Sequence, residues 1–402
     1  MSELRIEFLQ QISLIPADEW NALMRGKSMS VNPFIRHEYL AALESSHCVC
    51  TKTGWTPMHL TIFKGELRVV VMPLYAKTHS YGEYVFDWAW AEAYERNQIE
   101  YYPKLVNAIP FTPVTGSRVG VSKELNEEEV EQVWSAIINS LSELIKLGGY
   151  SSWHALFLDS DECEQYSKRG LLTRLGTQFH WQNYGYQNFD DFLARMHSRK
   201  RKAIRKERSR VAQLGLNMRF IDANEVTEVQ WQAFNHCYQM TYAKRSGHYG
   251  YLNLAFFKAL ALSMPEQIKL LVVEATGAES HDGLQVQQEV RVIASALFFC
   301  SDTHLYGRYW GTLETVEGLH FEACYYQGIE YCIKHGLRTF DAGAQGEHKV
   351  SRGFEPIDIH SNHEIAHPAF RDAIEHFIHQ EKAQTTCYIE EMTKILPFKS
   401  NR

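Results

Sequence analysis

Tyr306-Gly-Arg-Tyr-Trp-Gly311 and, one predicted helix later, Phe340-Asp-Ala-Gly-Ala-Gln-Gly-Glu-His-Lys-Val-Ser-Arg-Gly353 decide how this chain is read. Each follows a strand-like run. Each is dense in glycine and in side chains that donate hydrogen bonds or move protons. Ligands of α/β sheets gather where strands end and loops begin, so chemistry is expected here.

Working outward, Val290 to Cys300 and His304 to Tyr309 read as paired strands. Leu319 to His335 reads as a helix stopped by Gly336, and Arg338 to Asp341 as the next strand. The first half follows the same order. Strands are predicted over His59 to Phe63 and Glu66 to Tyr75, joined at Lys64-Gly65, and a third over Tyr84 to Asp87. A long helix runs from about Asn126 to Leu147, starts with three glutamates that suit its dipole, and stops at Gly148-Gly149. Trp153 to Leu158 is a short buried strand. Leu67-Arg-Val-Val-Val-Met-Pro-Leu matches Val290-Arg-Val-Ile-Ala-Ser-Ala-Leu in kind, although the offsets differ along the chain, so the halves share a plan and not a strict repeat. Two domains are expected, 1–183 and 184–402. The second opens with a long basic helix over Leu193 to Leu214, and Glu279 to Gln288 reads as a polar surface loop.

The chain has 402 residues, 45% of them hydrophobic and 22% charged, with a net charge of −7. A generic polyanion binder would be basic, so that class is excluded for the chain as a whole. No signal peptide and no membrane span are apparent. The scattered cysteines lack any Cys-x-x-Cys and suit reduced thiols, so a cytoplasmic location is expected.

Phe86-Asp-Trp-Ala-Trp-Ala91, Tyr101-Tyr-Pro-Lys-Leu105, Pro110-Phe-Thr-Pro-Val-Thr-Gly116, His320-Phe-Glu-Ala-Cys-Tyr-Tyr326 and Gly343-Ala-Gln-Gly-Glu-His-Lys349 with Arg352-Gly-Phe-Glu-Pro356 carry a further signal. Together with the hairpin–helix–glycine–strand plan, they give a chain that resembles the FemAB-like group of the GNAT superfamily, in particular predicted N-acyltransferases of peptidoglycan type. The resemblance implies an α/β (α+β) fold. It consists of two tandem GNAT-like domains, each a mixed, largely antiparallel sheet flanked by helices. It also implies transfer of an acyl or aminoacyl group from a thioester or ester donor to a primary amine, by direct attack. Acyl-CoA is the favoured donor, as a co-substrate and not a tightly bound cofactor. Aminoacyl-tRNA is the alternative, and a non-catalytic module binding a lipid or cell-wall fragment is a second. GNAT enzymes cradle the CoA pyrophosphate with Arg/Gln-x-x-Gly-x-Gly/Ala. The nearest match here, Arg308-Tyr-Trp-Gly311-Thr-Leu313, departs at its last small position.

Acyl transfer to an amine needs a base, donors for the oxyanion and a proton for the leaving group. Glu322 and His320, in the first turn of their helix, are candidate proton carriers, with Tyr326 on the face of Glu322. So is Asp341, at a strand end, and so are Glu347 and His348 in the glycine-rich loop. Gln345, Lys349 and Arg352 of that loop, with Arg308, Tyr309 and Trp310, are candidate ligand contacts. In the first half Asp87, Trp88, Trp90, Tyr102 and Lys104 combine aromatic walls with an acid and a base, which suits an apolar chain or an amine. The acceptor is expected to be a small-molecule or lipid amine.

The basic segment 195–210 would bear charge on every face, as suits a phosphate-rich partner: tRNA, CoA or an anionic membrane surface. A solvated charged face is the plainer reading. His363-Glu-Ile-Ala-His367 has the zinc-protease spacing, but that motif works only on a helix. Pro368 disfavours helix at His367, so no metal is expected.

Overall fold

A computed structural model describes residues 4–25, 32–276, 290–344 and 346–399. The expected loop from Glu279 to Gln288 and the candidate Gln345 therefore lie outside the described residues. The chain packs as two compact units, Met1–Gln178 with Ile357–Glu391, and Phe179–Pro356 with Met392–Arg402. The single division expected near residue 183 thus differs from the packing: 357–391 belong with the first half. The strand Glu355–Ile365 carries them there by pairing antiparallel with Ser152–Leu158.

The first unit contains the predicted hairpin. His59–Lys64 and Leu67–Met72 pair antiparallel, with Gly65 at φ +62° in the turn. Leu4–Leu9 and Gly120–Val121 complete a four-stranded sheet. The run expected as one strand to Tyr75 breaks after Met72. Proline cannot donate to a ladder, and beyond Pro73 the strand Tyr75–Lys77 pairs with Lys104–Asn107 in another sheet. The long helix is Glu127–Gly148, capped by Asn126 and Glu129 reciprocally and ended by Gly149 at φ +73°. Its stripe of Val133, Trp134, Ile137, Ile138, Leu141 and Ile145 packs into one core with Leu60, Ile62, Val70, Met72 and Trp153. Ser152–Leu158 is buried throughout and runs parallel to Lys104–Asn107. Tyr84 to Asp87 forms no strand. Tyr84 takes φ +62°, and Asp87 sits just before the helix Trp88–Arg96 without a side-chain capping bond. A 27-residue helix, Pro368–Lys394, follows the returning strand.

The second unit is built on Asn217–Asp222, Ile268–Thr276, Val290–Cys300 and His304–Thr312, antiparallel in that order. Thr339–Asp341 then pairs parallel with His304–Thr312 and antiparallel with Gln182 to His180. Glycine in the strand His304–Thr312 and in the helix Gln327–His335 serves close packing. A Cβ at Gly311 would lie 2.1 Å from the backbone of Cys237, on the helix Glu228–Ser246, and one at Gly328 would lie 2.4 Å from the Phe340 ring. The basic helix expected over Leu193 to Leu214 is two helices, Phe189–Ala194 and Ser198–Ala212. The break falls at Met196, which is fully buried and bridges to Phe398. Ile204 and Val211 anchor the longer helix, so its charge does not cover every face.

Candidate functional site

In the second unit the parallel strands separate. Thr339–Asp341 ends at Asp341 opposite Tyr306, while His304–Thr312 continues. Its register against Val290–Cys300 slips by one residue at Tyr309, which sits at φ +52°. Such a bulge bends a strand and re-aims its side chains, often beside a site. Tyr309 packs edge-on against Tyr238 and Phe257, and Trp310 against His320. After Asp341 the chain turns through Gly343 at φ +87° and Gly346 at φ +119°, into the helical turn Glu347–Arg352.

Two expected bases are locked by arginine. Arg308 forks onto Asp341, with Nη2 donating to Oδ2 at 2.7 Å and Nη1 to Oδ1 at 3.2 Å, and Gly343 N–H adds a bond at 2.8 Å. Burial would raise the Asp341 carboxyl, but Arg308 and then His180 outweigh it and hold it well below the carboxylate range. Arg308, the expected pyrophosphate contact, lies in a strand and is buried against Asp341. Glu322 accepts from Arg208 at 2.8 Å and from Gln327 at 2.8 Å, and is buried. Arg208 binds Glu330 as well, at 2.8 Å. Glu322 also opens a π-turn, Glu322–Tyr326, inside the predicted helix; such turns mark functional sites. Both carboxylates are thus engaged by arginine.

His348 is better placed. It is exposed, and its Nε2 lies 2.8 Å from the Tyr325 hydroxyl. Burial, then Arg352 and Lys349, lower its pKa below the usual histidine value, so the imidazole is neutral near pH 7. His320 stacks edge-on to Tyr325 and near His348, and burial together with His348 and Arg245 lowers it to about 4. Phe321 lies beside His348, with Arg352 above its ring at 3.5 Å. Arg352 and Tyr326 both bind Glu207, on the basic helix. Lys349 is buried and donates to Gly343 O; burial lowers it to about 8 against the pull of Asp341. Glu347 is exposed beside it. The structure therefore brings together His320, His348, Lys349, Arg352 and Trp310, and pairs Glu322 with Arg208 and Asp341 with Arg308. Sequence reasoning missed Tyr325 as a site residue, although it directly precedes the expected partner Tyr326, and Arg208, hidden within a charge run.

In the first unit Lys104 is fully buried and donates to Ser80 Oγ at 2.9 Å, to Glu83 Oε2 at 2.8 Å and to Asp87 Oδ2. Tyr101 Oη donates to the same Asp87 oxygen at 2.6 Å, and Tyr102 Oη lies 2.8 Å from Ser80 Oγ. Trp88 is exposed and rests against Tyr81, whereas Trp90 is buried against His363. His363 lies on a strand, not a helix, with its Nδ1 2.6 Å from His154 Nδ1.

Two mixed α/β units, the second with a separated parallel strand pair, set the fold class. The chain belongs to the FemAB-like family, described as peptidoglycan biosynthesis/recognition, whose model matches residues 11–400. It is thus an acyl or aminoacyl transferase of peptidoglycan-related chemistry. Its fold is similar to that of FemX, at 12% identity and TM-score 0.53, over 90% of this chain and 98% of that one. The C-terminal domain of a putative lysylphosphatidylglycerol synthetase from Agrobacterium fabrum matches at 9% identity and TM-score 0.50, over 90% and 95%. No curated protein matches the chain by sequence. Among the described residues, no helix is long and apolar enough to cross a membrane.

Proposed function

We propose that this chain transfers an aminoacyl group from the ester of a charged tRNA to a primary amine on a peptidoglycan-related acceptor. The observation that carries the reading is a stripe of exposed cations on the basic helix. On the helix Ser198–Ala212, Arg199, Lys202 and Lys206 follow i, i+3, i+7 spacing and are exposed. That spacing puts them on one helix face. They enter no ion pair among the described residues, whereas Arg205, Arg208 and Arg210 do. The same helix is tied into the π-turn through Arg208, on its other face.

The acyl-CoA donor has less support. A pyrophosphate sits well at a helix N-terminus approached by backbone N–H groups. Here the segment between His304–Thr312 and the helix start at Leu319 carries Glu314 and Glu317, paired with Arg291 and Arg210. Two carboxylates there oppose a diphosphate.

In the proposed step the neutral amine nitrogen attacks the ester carbonyl carbon. The C–N bond forms, the C–O bond to the ribose breaks, and the net proton passes from the amine to the departing ribose hydroxyl. Neutral His348 takes that proton, steadied by Tyr325, and returns it to the leaving oxygen. The Lys349 ammonium at the base of the loop adds positive charge where the oxyanion develops.

Filter binding of aminoacyl-tRNA at two salt concentrations tests the reading. Three phosphate contacts predict affinity falling roughly 40-fold between 50 and 200 mM salt. Replacing Lys202 and Lys206 by glutamate should remove most of that dependence. Tight acyl-CoA binding with no tRNA binding would sink the proposal, and binding only to anionic vesicles would make the stripe a membrane contact.

A further inference from the structure

We propose that the first unit holds a second ligand site, in which Glu83 and Asp87 receive a primary ammonium group beneath the aromatic rim of Tyr81 and Trp88. Lysine is a compact cation with three donors. Lys104 spends them on Ser80 and on one oxygen each of Glu83 and Asp87. The second oxygens, Glu83 Oε1 and Asp87 Oδ1, are buried without a hydrogen-bond partner among the described residues. Both side chains are at most 3% exposed. An unmet buried carboxylate oxygen is costly, and a ligand ammonium, with three donors, can meet both.

The surroundings fit an alkylammonium. Tyr81, Phe86 and Trp88 are 55%, 53% and 43% exposed, and Tyr81 and Trp88 lie 5.2 Å apart. Aromatic faces at an ammonium site add cation–π attraction and cover the alkyl stem. The segment 78–87 that carries Ser80, Glu83 and Asp87 contains no strand or helix. Its displacement to admit a ligand therefore breaks no sheet ladder. The site lies wholly within the first unit and does not depend on which acyl donor the second unit takes.

The groups facing Glu83 give the site a pH signature. Lys104 and Lys77 approach from the paired strands, Asp87 from the helix start, and Tyr101 and Tyr102 from the segment before Lys104. Burial, opposed by Lys104 and reinforced by Asp87, raises Glu83 to about 7. Burial, opposed by Glu83 and reinforced by Lys104, lowers Lys77 to about 7. Both groups make the site more negative as pH rises through 7. A cation therefore binds more tightly above that pH and expels a proton below it.

Pentylammonium and its neutral counterpart 1-pentanol are titrated calorimetrically into the full chain at pH 8 and pH 6. Saturable binding of the ammonium alone is expected, about tenfold weaker at pH 6 with proton release there. Glu83→Gln should weaken it at least tenfold, while His348→Ala leaves it unchanged. Equal binding of amine and alcohol, or no binding, would overturn the proposal. So would loss in His348→Ala with retention in Glu83→Gln, which would place the amine in the second unit. Should Glu83→Gln fail to give a cooperative melt, the amine–alcohol and pH comparisons on the wild-type chain decide the matter alone.

Discussion

Each unit buries a cation against carboxylate at the end of a parallel strand pair, and the two are completed differently. In the second unit the planar fork of Arg308 meets both oxygens of Asp341, and Gly343 N–H fills in behind. In the first, the point charge of Lys104 is divided between Glu83 and Asp87 and meets one oxygen of each. Arginine matches a carboxylate edge to edge, whereas lysine satisfies single acceptors. The Arg308–Asp341 arrangement is closed. The Lys104 arrangement leaves acceptors over.

The sharpest way to break this comparison is Asp341→Ala. It leaves the buried Arg308 without its carboxylate, so the second unit should lose about 3–5 kcal/mol in denaturant unfolding. A loss below about 1 kcal/mol would show that the pair is not closed. Because the Asp341 carboxyl is held below its unfolded value, its contribution is present above about pH 4 and disappears as pH falls through that range. The acid arm of the stability profile should flatten in Asp341→Asn.

His348→Ala should reduce turnover by about 10²–10⁴ while leaving the melt unchanged. The wild-type acid limb should lie below the ordinary histidine value of about 6.5, since the lowered pKa of His348 keeps it neutral further down. An acid limb above 7 would assign the proton transfer to another group.

In the first unit His154 is lowered to about 3 and His363 well below the usual value, burial being the main cause for both. The unfolded chain therefore binds more protons below about pH 6.5, and the first unit should lose stability progressively as pH falls from there. Pulsed hydrogen exchange on Ser152–Leu158 between pH 7 and 5 checks this, and protection that does not change would contradict it. Glu322→Gln should have the smallest effect. Arg208 keeps Glu330, so a cost of about 1–3 kcal/mol is expected, with turnover otherwise retained. A turnover loss as deep as that of His348→Ala would restore Glu322 as a base.

Much of this was legible in the chain alone. Asn126 and Glu129 announce their helix, Gly149 and Gly336 end theirs, and Val290 to Cys300 is found as a strand with the predicted ends. These are local signals, set by backbone dihedrals, capping and side-chain period, and a sequence displays them directly. The glycine-rich loop was located for the same reason, with His348, Lys349 and Arg352 in it. The sequence could not say which carboxylate is available for chemistry. Glu322 and Asp341 look alike as candidate bases until Arg208 and Arg308, 114 and 33 residues away, are seen to occupy them. Nor could it say that 357–391 fold with the first unit, since that rests on pairing Glu355–Ile365 with Ser152–Leu158. Periodicity and capping act over a few residues and are written in order along the chain. Charge pairing and strand pairing act across space, and only the tertiary structure decides who meets whom.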